Sequence, residues 1–596
     1  MRFKESPDRK QPINRRNLIA ASTAGSLALG LHRRGRADGT PSARPEGGAT
    51  PVSASDEPDP NAPTSTFFST ARVDWAATIF TESNGDLWPC AWADDDAIYT
   101  ANGDGTGFEP NGLFADIVMN RVDGDPEVGL TGERLSAAAM ISDVWGPSNE
   151  FNRKPTGIIA VDGNGDGKDE LYLAVQDLKH GPGAFDEAPN ASISMSTDYG
   201  KTWTKSREPM FTDHRFTTIM FLDFGQSNAH ASVLGDDGAD YVYAYGIDFN
   251  WRDSFSDQVE DPTNLYLARV PIDSIQDRTR WEFFAGLEGD IPTWDAEIEN
   301  RQPVLTDTRR VYQDFRGTDI SDMTVISQGG VVYNAPLQRY IYTSWTEYTW
   351  EFYEAPAPWG PWRLFLHKDF GCYPWFGASE SASCDGPKNG GYGTVVPSKW
   401  ISEDGRRMWV QSDWWVGVGC GDPTYKFALR PIDLVPFAPS TPENEPDPER
   451  NLALEPGTVA IEKTAHYGHT DRLNDGDLSA SEDSWDNENK SLDWWGYTWP
   501  REYTVNQVRY TSGEAFPDGG WFANDLRVQV RKGFRWTDVT GLQVSPDYPY
   551  DESANPFVTY TFRFDPADCD GVRVIGTPGG PGYFTSIAEL EVSYEP

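Results

Sequence analysis

The sequence predicts an all-β protein: a five-bladed β-propeller over 66–438, then a second β-rich unit over 451–596. Three observations predict it. Helical periodicity is nearly absent along the 596 residues, and short β-branched and aromatic runs are punctuated instead by Gly, Pro, Asn and Asp. In the first region these runs gather into five groups of strands with turn signals between them, the pattern of radially repeated blades whose arrangement protects strand edges. A Pro- and acid-rich break, PSTPENEPDPER at 439–450, sets off the last region and predicts a linker with few contacts across it. A jelly roll or paired sandwich is the alternative architecture for the first region.

The elements follow in chain order. Asn14-Arg15-Arg16-Asn17 places paired arginines before an apolar stretch at 18–31, shorter than the ~20 residues a spanning helix needs. It resembles a twin-arginine export signal, whose substrates cross the membrane already folded. The signal region is read as 1–38 and a disordered linker as 39–65. The expectation is a secreted protein with no membrane insertion after export. Five cysteines suit an oxidising destination. Cys372 and Cys384 could staple a local loop, Cys90 and Cys420 could cross-link the first and last blades, and Cys569 is left over.

The formal charge of −42 excludes a nucleic-acid backbone as general partner, since phosphate binding needs the opposite sign. Carboxylates spread along the chain suit a surface kept soluble in concentrated salt, where screening removes self-repulsion. The 23 Trp and 25 Tyr are read either as sugar-stacking platforms or as large residues filling sheet layers. With seven histidines, no HExxH, no CxxC, no nucleophile-elbow serine and no phosphate-cradling Gly loop, zinc proteolysis, serine hydrolysis and nucleotide chemistry are disfavoured. Paired carboxylates remain, the equipment of glycosidic bond cleavage.

The first blade opens with GDLWPCAWADDDAIYTANGDG at 85–105. Residues 87–92 and 97–101 read as strands joined by a polar turn at 93–96. That register puts Asp86 opposite Gly103, with Asp104 as its diagonal neighbour, and sends Asp94, Asp95 and Asp96 to the other end. Asp86 and Asp104 could therefore share one small space; ordinary turn-capping is the alternative for both. DGNGDGKDE at 162–170 carries oxygen ligands at calcium-loop spacing: Asp162, Asn164, Asp166 and Glu170, with Gly167 for the turn. Leu173 stands where an EF-hand needs a bidentate Glu, so a strand-to-strand loop holding a structural Ca2+ is expected. STDYGKTWT at 196–204 matches the Asp-box, which makes Asp198 a turn-shaping residue.

The opening segment resembles the five-bladed propeller endo-D-arabinanases, a glycoside hydrolase family formerly catalogued as a domain of unknown function. The resemblance rests on Asp86 in GDLW, Asp104 in NGDG and Tyr99 in the strand between, with patchy support to about residue 430. It implies that Asp86 and Asp104 are the general acid/base and nucleophile of a retaining, endo-acting hydrolase, in an unassigned order. Gly105 stands where the family suggests a hydroxyl residue and Trp88 where it suggests Gly. Trp88 is a sugar-contact candidate, and Asp223, Trp345 and Glu347, at candidate inner-strand ends, could complete the site.

In the last region NLALEPGTVAIEKTA, LNDGD, WWGYTW, VNQVRY and SIAELEV follow in the order of a discoidin-like, coagulation-factor type C domain. This resemblance covers nearly all of 451–596 and implies a jelly-roll β-sandwich that binds glycans through loops at one end. Trp494 and Trp521, with Trp485 and Trp495, are stacking candidates there. The leading reading is an exported glycoside hydrolase with a glycan-binding module, its partner an extracellular polysaccharide. The alternatives are a propeller polysaccharide lyase using His180, His214 or His230 as base, and a non-enzymatic glycan-binding or adhesion protein.

Overall fold

The computed structural model describes residues 62–74, 77–180, 185–235, 238–253, 258–311, 323–346, 349–369, 393–413, 425–438, 446–447, 449–485 and 490–595. Residues 1–61, with the expected export signal and most of the expected linker, lie outside them, as do Glu347, Cys372, Cys384 and Cys420. The end of that linker, 62–65, is instead bonded to the strand Arg363–Asp369, where Leu364 N donates to Pro63 O at 2.9 Å and Ser65 N to Leu364 O at 2.8 Å.

Five antiparallel blades close into a ring. Blade 1 runs through Asn84–Asp86, Cys90–Trp92, Ile98–Gly107, Ala115–Asp125 and Gly129–Ala137. Blade 2 is Phe151–Val161, Glu170–Lys179 and Ala191–Ser196. Blade 3 is built on Thr218–Asp223, Tyr241–Ile247 and Asn264–Pro271. Blade 4 is Gly330–Asn334, Arg339–Trp345, Thr349–Ala355 and Arg363–Asp369. Its first strand pairs in parallel with blade 3 at Leu222–Val331 and Asp223–Val332. Blade 5 joins the two ends of the region: Arg407–Ser412 pairs with Ala428–Pro436, whose other edge takes Phe68–Val73. That pairing closes the ring with backbone hydrogen bonds. Cys90, by contrast, is a free buried thiol and makes no cross-link to the last blade.

The strands are held by large residues between blades. At the junction of blades 1 and 5, Trp88 meets Phe108 and Phe427 edge to face and Phe108 tilts against Phe427, with centroids 5.5–5.8 Å apart. The fully buried Trp88 and Phe427 each contribute roughly 2–3 kcal/mol. Strand direction then sorts the loops. The innermost strand of each blade sets out from one face of the ring, so the loops after the second strands return to that face. The turns after the first strands lie on the other. Residues 93–97 and 162–169 are on this far face, opposite Asp86 and Asp104.

Residues 451–595 form the expected sandwich, with two 20-residue strands, Asp493–Ser512 and Thr559–Pro578, pairing along its middle. Its core is aromatic: Trp495, Tyr497, Trp499, Tyr510 and Phe522 are buried. The sandwich does not hang free from the propeller, as the linker composition predicts. It packs against the closing strand of blade 5. Ser69 Oγ donates to Trp499 O at 2.8 Å, the Thr70 and Thr498 hydroxyls lie 2.6 Å apart, and buried Arg531 donates to Ser69 O at 3.0 Å. Linker composition reports the chain between two surfaces and carries no information about the surfaces themselves. Among the described residues no helix is long and apolar enough to cross a membrane.

Candidate functional site

Asp86 ends its strand directly opposite Gly103, the register that the hairpin spacing predicts. Asp104 follows, with φ +26°, and the flanking pairs Gly103–Ile117 and Gly105–Ala115 set it across from Asp116. The two carboxylates are brought together by a residue of blade 2. Lys154 Nζ lies 2.5 Å from Asp104 Oδ2 and 3.7 Å from Asp86 Oδ1. Those two oxygens can be no further apart than the sum of the two distances, about 6 Å. Lys154 is buried at 1 % exposure of its side chain, Asp86 is nearly so at 9 %, and Asp104 is open at 31 %. Burial alone would push the Lys154 ammonium down, but the charges of Asp104 and Asp86 outweigh it and hold the group above its usual value.

Glycines make this approach possible. A Cβ on Gly103 would lie 2.3 Å from Asp86 Oδ1 and 3.0 Å from Lys154 Cδ, and one on Gly105 would lie 2.3 Å from Asn84 O. Gly105 therefore serves the close passage of the two strands, which accounts for the absence of a hydroxyl side chain there. Beside the pair, Arg153 Nη1 donates to Asp116 Oδ2 at 2.7 Å. Both cations next to the carboxylates are thus engaged by acids.

The turn aspartates are elsewhere. Asp94 accepts from Tyr199 Oη at 3.1 Å, Asp95 from Tyr99 Oη at 2.9 Å, and Asp96 pairs with Lys399 at 3.1 Å, all on the far face.

Several expected sugar contacts are corrected by burial or direction. Trp88 has no exposed surface, and its Nε1 donates to Gly85 O at 2.9 Å; it fills the blade junction and offers no face to a sugar. Trp345 is likewise fully buried, packed edge to face on Trp251 at 5.6 Å. Asp223 ends its strand on the far face, where Ser398 Oγ donates to it at 2.7 Å and Gly225 N at 2.8 Å. Burial pushes its carboxyl up to about 6, but it cannot join Asp86 and Asp104 through the thickness of a blade. In the sandwich, Trp494 is buried between Lys463 and Arg573, 5.2 and 5.1 Å from the ring centroid. Trp521 is half-buried and lies against Gly579, where a Cβ would come 2.2 Å from its Nε1. Exposed aromatic surface gathers instead around His466, whose ring packs on Tyr467 at 4.2 Å and Trp485 at 5.0 Å, Tyr467 being 60 % exposed.

In the 162–170 loop, Asp162 Oδ1 accepts from Gly165 N at 2.7 Å, Asp162 Oδ2 from Gly167 N at 2.8 Å, and Glu170 Oε2 from Gly163 N at 2.9 Å. Asn164 Nδ2 donates to Glu170 Oε1 at 2.5 Å. The four expected ligands share one loop, with these oxygens turned to its own donors. Among the described residues no three His, Cys, Asp or Glu side chains converge as a metal-holding group.

Sequence reasoning missed two residues of the carboxylate site. Lys154 precedes Pro155 at the start of an apolar strand, and a lysine at that boundary reads as a solvated strand end. Asp413 is fully buried behind Asp86, and its Oδ2 accepts from Leu87 N at 2.8 Å. More than three hundred positions separate it from its partner, so only the ring closure reveals the contact.

Among solved structures, a Bacteroides ovatus ATCC 8483 protein described provisionally as a hydrolase is 12% identical, covering 59% of this chain and 87% of its own, with a TM-score of 0.35. A structure from the Streptococcus pneumoniae β-galactosidase BgaA is 14% identical over 24% of this chain and 91% of its own, with a TM-score of 0.20. The family 32 carbohydrate-binding module of Clostridium perfringens NanJ, in complex with galactose, is 17% identical over 23% of this chain and 92% of its own, with a TM-score of 0.18. No curated protein matches the chain. Residues 84–369 match the family described as DUF4185, a domain of unknown function.

Proposed function

We propose that the protein is an exported glycoside hydrolase that cleaves an extracellular polysaccharide, with a D-arabinan-like furanoside as the substrate to test first. Asp86 and Asp104 are its two reacting carboxyls. The observation that carries the reading is Lys154 Nζ within 2.5 and 3.7 Å of the two carboxylates, which gathers two acids at the end of the ring with one buried and one open. The close approach of one oxygen from each carboxylate to the same Lys154 Nζ favours the short carboxyl separation of a retaining enzyme, ~5–5.5 Å. One carboxylate attacks the anomeric carbon as the other protonates the departing glycosidic oxygen; the second then takes a proton from water as the glycosyl ester is hydrolysed. Lys154 sets the relative position and charge of the pair.

A uronate-directed lyase is less well supported. Lys154 and Arg153, the cations beside the carboxylates, already face Asp104 and Asp116. Of the three candidate bases, His230 sits on the far-face connection between the first two strands of blade 3 and His214 Nε2 faces Glu187 Oε2 at 3.1 Å, while His180, after the second strand of blade 2, is on the face of Asp86. The sandwich is proposed to bind the polymer through Tyr467, Trp485 and Trp521, and the 162–170 loop to take a structural Ca2+. The test is incubation of the full chain with a panel of polysaccharides, D-arabinan included, and mass analysis of the products. Fragments carrying one added water support the reading; unsaturated fragments would favour the lyase, and intact polymer a binding protein.

A further inference from the structure

The strand carrying Asp86 turns a sharp corner at Leu87, whose φ of +56° is a left-handed conformation that costs roughly 1–2 kcal/mol for a residue with a side chain. Such a corner persists only where its surroundings over-determine it. Two hydrogen bonds do so here: Leu87 N to Asp413 Oδ2 at 2.8 Å, and Trp88 Nε1 to Gly85 O at 2.9 Å. The first comes from blade 5, where Asp413 follows Arg407–Ser412 with no exposed surface. Gly393, at φ +64°, closes the other side: a Cβ there would lie 2.9 Å from Asp413 Oδ1 and 3.3 Å from Leu87 Cα. The charged groups facing Asp413 are Asp86 across the blade junction and Arg430 on the neighbouring strand.

We infer that Asp413 is a positioning residue for Asp86: by holding the Leu87 amide it fixes the corner that aims the Asp86 carboxylate at Lys154 and Asp104. This rests on the reading of Asp86 and Asp104 as the reacting pair. Burial, with the charge of Asp86 second, holds the Asp413 carboxyl well above the usual range. An amide in its place preserves the acceptor for Leu87 N, whereas an aliphatic side chain of similar volume removes it.

The experiment compares Asp413→Asn and Asp413→Leu in the full chain, by kinetics on the polysaccharide the wild type cleaves and by crystal structures of both variants. Asp413→Asn should keep Asp86 in place and stay within about threefold of wild-type kcat. Asp413→Leu should lower kcat roughly 10–100-fold, the cost of misplacing a reacting group by about 1 Å, with KM nearly unchanged and Asp86 Oδ1 withdrawn beyond 3.7 Å from Lys154 Nζ. Should the leucine variant not fold, Asp413→Ser removes the reach of the acceptor with less volume and is read the same way. An aliphatic or serine variant in which Leu87 keeps its left-handed corner and Asp86 its distance to Lys154 would overturn the positioning role. If the wild type cleaves no polysaccharide, the hydrolase reading fails, and the crystal structures still decide whether Asp413 holds the corner.

Discussion

Lys154 Nζ lies 2.5 Å from Asp104 Oδ2, an ion pair between a buried base on blade 2 and a half-open acid on blade 1. Breaking a buried pair by removing one partner is costly because the other charge is left uncompensated, by about 3–5 kcal/mol. Lys154→Met should therefore lower the thermal midpoint markedly. A companion Lys154→Met/Asp104→Asn variant should recover part of that loss. Thermal unfolding of the two variants against wild type checks this; equal midpoints for all three would mean that the pair contributes nothing.

Arg531 makes the corresponding link between domains. Its side chain is 5 % exposed, Nε reaches Asp570 Oδ1 at 2.5 Å, and Nη1 reaches Ser69 O at 3.0 Å. Arg531→Ala strands the buried Asp570 and uncovers the closing strand, so a loss of about 3–5 kcal/mol is expected. Chain ending at 438 should unfold at a lower temperature than the full protein, since Phe68–Val73 loses the sandwich that covers it. Equal midpoints for the truncated and full chains would contradict the interface.

Trp88 should behave as a core residue. Trp88→Ala is expected to cost about 3–5 kcal/mol through the cavity left against Phe108 and Phe427. A conservative Trp88→Phe should fold and leave KM for a polysaccharide unchanged. A large rise in KM with intact stability would restore the sugar-contact role that its burial denies.

Calcium should raise the thermal midpoint without being needed for turnover, because an ion held only by the folded state stabilises by mass action and the 162–170 loop is on the far face. Asp162→Asn should remove the calcium-dependent increment. Chelator that abolishes cleavage while the fold stays intact would contradict a structural role.

What the sequence makes legible follows from range. Alternation and turn residues write the blades directly, and hairpin spacing places Asp86 opposite Gly103 because both lie within one short connection. Trp88 and Trp345 read equally well as platform or core, since the sequence gives the aromatic ring but not which neighbours cover it. Asp223 reads as an inner-strand end, but which end of the strand faces the site depends on strand direction around the ring. Lys154 and Asp413 are invisible for the same reason: each meets Asp86 or its neighbour Leu87 only through a blade junction. The sandwich interface is set by Ser69 and Arg531, which stand 462 positions apart.

The central claim is that Asp86 and Asp104 are the reacting carboxyls, and hydrolysis by Asp86→Asn and Asp104→Asn tests it most directly, with Asp94→Asn, Asp95→Asn and Asp96→Asn alongside. On a polysaccharide that the wild type cleaves with addition of water, the first two variants should each stay folded at the assay temperature and lose activity by orders of magnitude, with midpoints lowered because buried Lys154 loses part of its compensating charge. The three far-face variants should cleave at nearly the wild-type rate. Full activity in either Asp86→Asn or Asp104→Asn would contradict the account and return these aspartates to a purely structural part in the strand ends they occupy.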